Sequence, residues 1–423
     1  MLNKNFRQNV LFLYLVQFSN YILPFVWIPI IINKVGISSY GSIAIVQSVT
    51  LYFQMLIDYS FNYKGSKDIS INNKNTVKIQ KIYNQVLSTK LAISVLVILS
   101  ILILYTIFDY QIIYYFIIFI PFILGHALTS YWFFQGQSDM KYISILTIMN
   151  KVLVLLSIII LLKPESSIVS VLLCISIPNL IMGLLSHFII LVKYRLSFKF
   201  DFNGVITELK EGFDLFIGYA GSSLYLSSNV IILGIFQPHS VVAIYSIVEK
   251  IIVAVQKLSS PFLFTLYPEV SKIANESVVK LLVFKKRLIK IAFIFSSIVS
   301  IGLAICTIVG FKMKILSDVT GINGDENLKS FLITMLIMCM IPIVGTINSV
   351  LCTQTLVPLN EGNYFKKITV LTGIFSIALS FLIVPFYGIL ATASTYVISE
   401  LFLFLLVSIR IKQLETANSL LNG

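Results

Sequence analysis

Of 423 residues, 57% are hydrophobic and 12% charged, with a mean hydropathy of +0.94; soluble domains hold roughly 45–50% apolar and about 25% charged residues, so that class is excluded. A formal charge of +13 in so apolar a chain points to basic loops lying against anionic lipid and argues against a nucleic-acid partner. Long Ile, Leu, Phe and Val runs without two-residue alternation exclude a barrel and select spanning helices, each of roughly 20 residues.

Breaking the chain at polar loops predicts twelve spans, near 10–33, 40–61, 87–108, 111–134, 142–162, 167–192, 212–236, 240–268, 288–310, 329–352, 367–386 and 388–409. The first run, Val10 to Ile32, is too long for the core of a cleavable leader and is expected as span 1. With the N-terminus inside, 22 of the 31 Lys and Arg fall in cytoplasmic loops and 5 outside, which predicts both termini in the cytoplasm. The segment KYRLSFKFDFNGVITELKEG divides the spans six and six. The expected architecture is an all-α membrane protein with an N-terminal six-helix bundle over 1–192, a cytoplasmic linker over 193–211 and a C-terminal six-helix bundle over 212–423. Sliding the chain by 202 residues sets YGSIAIVQS from Tyr40 against VAIYSIVEK from Val242, with Gly41 over Ala243 and Gln47 over Glu249. That weak match suggests a tandem repeat of like orientation.

An ionisable side chain inside a span costs about 2.5–3.5 kcal/mol at a helix centre, so each one is a candidate for function. Span 8 carries Glu249, Lys250 and Lys257. The two lysines are seven residues apart, which sets them on one face about 10 Å apart. They predict a cationic wall for an anionic head group, with Lys151 of span 5 as a third member; the competing reading has Glu249 neutralise one lysine while the others reach water. Glu400, near the middle of span 12, and Asp58, late in span 2, are candidates for ion coupling or charge pairing. Gln17 and Asn20 on span 1, Gln47 and Gln54 on span 2, and Ser222, Tyr225 and Asn229 on span 7 form polar stripes that predict a hydrated cleft, although such residues also serve as packing contacts.

Pro24 and Pro29 in span 1 and Pro261 near the end of span 8 are expected to kink their helices. His126 and His187 read as hydrogen-bonded packing residues, and Cys174, Cys306, Cys339 and Cys352 as small hydrophobes without metal spacing. No nucleophile–base motif, metal cluster or large outer loop is evident, which argues against an enzyme and against a cofactor.

The segments at 20–49, DYSF at 58–61, YWFFQGQSDMKYI at 131–143, SNVIILG at 228–234, YSIVEKI at 245–251, LYPEVSK at 266–272 and the stretch 366–400 together resemble the O-antigen flippase family (Wzx-type). That family belongs to the superfamily that also holds multidrug exporters. The resemblance implies two six-helix bundles working by alternating access on an undecaprenyl-pyrophosphate-linked oligosaccharide in the bacterial inner membrane. It also implies a proton or sodium gradient as drive and a polysaccharide polymerase as a downstream partner. It places Lys250 at the family's basic position and Glu400 at its acidic one. Ser60, Asn33 and Lys67 depart from the family's usual glycine, basic residue and arginine. The alternative, a cation-coupled small-molecule antiporter of the drug-extrusion type, would call for a net acidic cavity, whereas lysines outnumber acids on span 8.

Overall fold

The computed structural model describes residues 4–108 and 110–421, apart from the side chains of 4–13, 218–219, 221–227, 261, 264–265, 268–269, 275, 318 and 417–421. Among these residues the regular elements are all helical. The first half comprises Lys4–Val35 (α1), Ile37–Asp58 (α2), Lys64–Ile71 (α3), Thr76–Ile107 (α4), Gln111–Ile118 (α5), Ile120–Leu128 (α6), Tyr131–Gly136 (α7), Met140–Leu161 (α8) and Ile168–Lys193 (α9). Phe202–Phe236 (α10), His239–Lys257 (α11), Ser260–Glu276 (α12), Val278–Lys312 (α13), Ile315–Thr320 (α14), Asp325–Met338 (α15), Ile341–Leu351 (α16), a π-helical turn over Cys352–Leu356 and Gly362–Leu421 (α17) follow.

Ten stretches of the described residues are long and apolar enough to cross a membrane. One of them, Gly362–Thr416, holds two expected spans, because Gly388 at φ 54°, ψ −128° interrupts α17. A positive φ of that kind suits only glycine. The span expected over 212–236 lies within α10, so each of the twelve expected spans is helical. Span 8 is not one kinked helix: α11 ends at Lys257, and α12 starts at Ser260 with proline in its first turn, where the missing amide donor costs nothing. Pro24 and Pro29 lie within α1.

The chain forms two compact units, Met1–Tyr219 and Ala220–Gly423. The division falls inside α10 rather than in the preceding loop, because the early turns of α10 are fastened within the first unit. Lys64 Nζ reaches Glu208 at 2.7 Å and Glu211 at 3.0 Å. The Tyr59 hydroxyl donates to the Leu209 carbonyl at 2.7 Å, and its ring stacks on Phe216. At Gly212 a Cβ would lie 2.4 Å from Ser60 Oγ, so only glycine fits beneath that contact.

The 202-residue repeat is carried by the helix starts. α2 begins at Ile37 and α11 at His239; α4 begins at Thr76 and α13 at Val278. Asn75 and Ser277, also 202 apart, cap α4 and α13 by accepting from the amides of Lys78 and Lys280. Residues 40–46 and 242–248 are both buried without a break, so the two weakly matched segments occupy equivalent all-round-buried positions in their own units.

Each unit has its own apolar centre. In the first, Trp132, Phe133, Phe134 and Tyr83 gather beside Ile69 and Leu146. Helices α6 and α9 cross there almost backbone to backbone: a Cβ on Gly183 would stand 2.2 Å from the Gly125 carbonyl oxygen. Asn179 ties the crossing by donating to the Phe122 carbonyl at 2.9 Å. In the second unit, Leu351, Leu356, Leu403 and Val407 form a core against Ile368.

Candidate functional site

The embedded charges gather into one group in the first unit, with Lys151 apart from it, and two in the second. In the first unit, Asp58 closes α2 and is 16% exposed. Its Oδ1 lies 3.2 Å from Lys90 Nζ on α4, and its Oδ2 accepts from Asn62 at 3.3 Å. Lys90, 2% exposed, also donates to the Thr129 carbonyl at 2.9 Å. His126 Nε2 sits 3.1 Å from Asp58 Oδ1 but off the line of a hydrogen bond. A buried cation is thereby matched to an anion and a carbonyl, the condition under which burying it is tolerable.

The other first-unit candidates do not join this group. Lys151 is half-buried on α8, its ammonium 5.8 Å from the centre of the Trp27 ring, a cation–π distance. Gln17, Asn20, Gln47 and Gln54 are all half-buried. His187 stacks on Tyr83 and meets its hydroxyl at 2.5 Å, the packing role expected of it.

In the second unit, α11 presents Lys250 half-buried and Lys257 exposed. Each has a carboxyl within electrostatic reach: Lys250 acts on Glu249, and Lys257 acts on Glu400 of α17. Glu400 is 3% exposed and fixed by Asn348 of α16, whose Nδ2 donates to Glu400 Oε2 at 2.7 Å and to its carbonyl at 2.9 Å. Lys257 and Glu400 form no direct ion pair among the described residues. The π-helical turn follows on the same element, and its Gln354 donates to the Leu263 carbonyl of α12 at 2.9 Å. Such turns recur where a helix bends at a functional position.

A second knot surrounds Glu249. Tyr245 has Glu249 and Asn229 as its polar neighbours, and among the described residues Glu249 Oε1, the Tyr245 hydroxyl and Asn229 Nδ2 are buried with no hydrogen bond of good geometry. Asn229 is fully buried and accepts from Ser380 at 3.4 Å. The side chains of Ser222, Tyr225 and Pro261 lie outside the described residues. Unpaired buried polar atoms cost free energy, on the order of 1–3 kcal/mol each, and a ligand or ion that engaged them would recover it.

Sequence reading missed Asn348, which stands alone in an apolar run and shows its role only through Glu400. It also missed the Asp58–Lys90–His126 grouping, whose members come from three helices. The one available signal was that Lys90 stands inside an apolar run, where a lysine calls for a partner.

Comparison with known proteins extends these observations. The family described as "Polysaccharide biosynthesis protein" matches residues 6–274. A "Putative O-antigen transporter" of Shigella dysenteriae is 27% identical over 387 residues, covering 90% of this chain and 94% of the relative. The protein of the same description from Escherichia coli K12 is 25% identical over 398 residues, with 93% and 94% covered. Among solved structures, an inward-facing multidrug-resistance MATE transporter of the MOP superfamily superposes with a TM-score of 0.72 at 12% identity, covering 96% of this chain and 99% of that one. The lipid II flippase MurJ in an inward closed conformation gives 0.73 at 16%, covering 95% and 87%. At such identities the structural likeness establishes the fold alone. The resemblance carried by the sequence segments and the fold expected from it both hold.

Proposed function

This chain belongs to the polysaccharide biosynthesis protein family, and from that premise we propose that it is a flippase. Its cargo is an undecaprenyl-pyrophosphate-linked oligosaccharide, moved by alternating access from the cytoplasmic to the outer leaflet of the bacterial inner membrane for O-antigen or a related surface polysaccharide. The observation that carries this reading is the likeness, over nine-tenths of the chain, to two proteins described as O-antigen transporters. The chemistry agrees. A pyrophosphate cannot cross roughly 30 Å of hydrocarbon unaided, whereas a polyprenyl tail stays in lipid, so a protein need shelter only the charged head and its sugars. Lys250 and Lys257 on one helix offer positive charge for that head, and neither lysine is fully buried. Glu400, held by Asn348 and acted on by Lys257, and Glu249, with an oxygen that no described residue bonds, are the groups proposed to exchange a proton or sodium ion with the gradient that drives the step. No bond is made or broken in this scheme, so the chain acts as a transporter, handing its product to a polymerase in the outer leaflet.

The test is reconstitution of the full chain into vesicles with a defined lipid-linked glycan and a probe that reads its leaflet. Protein-dependent movement is expected, rising when a proton or sodium gradient is imposed. Movement equal to that of protein-free vesicles, with correctly inserted protein, overturns the proposal.

A further inference from the structure

The densest basic stretch of the chain, at the start of α13, divides into two parts with different roles. Lys285 is turned inward and is spent on structure: it is 8% exposed and bonds Glu415 of α17 at 2.7 Å, while Leu281, Leu282 and Leu288 are buried around it. The opposite side of the same turns is open. There Ile273 of α12 and Val279, Lys280, Val283, Phe284 and Arg287 of α13 line an open surface cavity of about 340 Å³.

Three features of this cavity specify its occupant. Its floor is apolar, and Val279 and Val283 are about half exposed. Its rim carries two cations. Arg287 has no carboxylate within ion-pair distance among the described residues, and Lys280 has only Glu276, at 3.2 Å, with both partners more than 60% exposed. Such an exposed pair contributes little and yields readily to another anion. Below the rim, the helix continues as an exposed apolar stripe through Ile291, Ile294, Ile298 and Ile301, at the spacing of one helix face. α13 lies in a stretch long and apolar enough to span, and the Lys/Arg bias assigns this end of it to the cytoplasmic side.

The first unit supplies an internal comparison. The 202-residue slide sets Gln85 of α4 at the place of Arg287 and Lys81 at that of Val283. Gln85 is covered by the start of α10: a Cβ on Gly204 would stand 2.5 Å from its Cγ. Neighbouring Gln80 and Asn84 bond the backbone of Ser197 and Lys199. Where the first unit covers this flank with its own chain, the second presents a cation above an apolar slot.

We propose that this cavity is a binding site for an anionic phospholipid of the cytoplasmic leaflet. The phosphate is held by Arg287 and Lys280, the glycerol region rests on Val283 and Phe284, and an acyl chain lies along the Ile291–Ile301 stripe. Guanidinium geometry suits two phosphate oxygens at once, so Arg287 is the principal contact. The site stands whether or not the chain is a flippase, since it needs only a bilayer with anionic lipid.

The experiment is native mass spectrometry of the purified full chain titrated with phosphatidylglycerol and, separately, phosphatidylethanolamine. Juxtamembrane cations contribute about 1 kcal/mol each, so the double variant Lys280→Gln/Arg287→Gln is expected to weaken phosphatidylglycerol about thirtyfold and to leave phosphatidylethanolamine unchanged. The control Lys286→Gln/Lys290→Gln removes equal charge from exposed neighbours outside the cavity and is expected to change affinity less than threefold. Val283→Trp, which fills the slot and keeps both cations, is expected to weaken binding as well. Equal losses in the two charge variants would mean diffuse attraction rather than a site and would overturn the proposal. So would displacement of the lipid by millimolar inorganic phosphate or pyrophosphate, which would mean a headgroup-only anion site, and so would stronger retention of a polyprenyl pyrophosphate than of phosphatidylglycerol.

Discussion

Asp58 and Glu249 are both carboxylates near a lysine inside an apolar unit, and their surroundings differ. Asp58 has both oxygens engaged, by Lys90 and Asn62, and Lys90 has a carbonyl besides. Among the described residues, Glu249 keeps one oxygen buried with no hydrogen bond, next to a tyrosine hydroxyl and an asparagine amide in the same condition. A satisfied group rigidifies the unit that holds it, while an unsatisfied one stores free energy that binding can release. Asp58 is thus held by its neighbours in the fold, while Glu249 has an oxygen that the proposed transport cycle could use.

The largest expected effect breaks the satisfied group. Removing one partner of a buried pair leaves an uncompensated charge at a cost of about 3–5 kcal/mol. Lys90→Ala or Asp58→Ala is therefore expected to abolish folded protein, as read by thermal unfolding in detergent, whereas the double variant Asp58→Asn/Lys90→Met recovers much of the loss. If either single variant unfolds like the parent, the first cluster is not structural.

The second unit is expected to respond in the opposite sense. Lys250→Ala lowers surface-polysaccharide assembly at least tenfold in a complementation assay while protein level and insertion hold. Normal assembly at equal expression would remove Lys250 from the proposed head-group contacts. Glu400→Gln keeps the acceptor for Asn348 and so is expected to unfold within about 1 kcal/mol of the parent, while gradient-driven movement falls severalfold. Loss of stability without loss of movement would make Glu400 a packing residue.

The smallest effect concerns pH and lies outside the spans. Burial works against the Asp139 carboxylate, but the Lys193 ammonium at 2.7 Å and the Tyr194 hydroxyl outweigh it and hold the carboxyl below its ordinary range. A lowered folded-state value means the contribution is fully present above the ordinary carboxylate range and is lost as pH falls through the lowered value. Both partners are more than a third exposed, so the contribution is below about 1 kcal/mol. Asp139→Asn should flatten the acid limb of the melting curve, and an unchanged limb would show that the contact contributes nothing.

Run length and loop charge made the spans legible, because a bilayer imposes a minimum length that composition displays directly. Gly388 falls where two expected spans meet, and that boundary was readable from the interruption in the apolar run. The early turns of α10 were not, since they are polar and helical only because Lys64, Tyr59 and Ser60 receive them. The break after Lys257 was hidden for a related reason, as two helices end to end carry the same apolar signal as one. Among site residues, Lys250, Lys257, Glu249 and Glu400 stood out by their cost in lipid. Asn348 and His126 did not, because an amide or an imidazole alone in a span is cheap and acquires meaning only from what another helix brings to it.

The crossing of α6 and α9 has a consequence for that last residue. Gly125 immediately precedes His126, and the clearance there is negative for anything larger than hydrogen. The imidazole reaches the aspartate's neighbourhood only because two peptide planes slide past each other with no carbon between them. A single methyl group at Gly125 or Gly183 would jack the helices apart and swing the ring out of range, changing an electrostatic arrangement by a purely mechanical wedge.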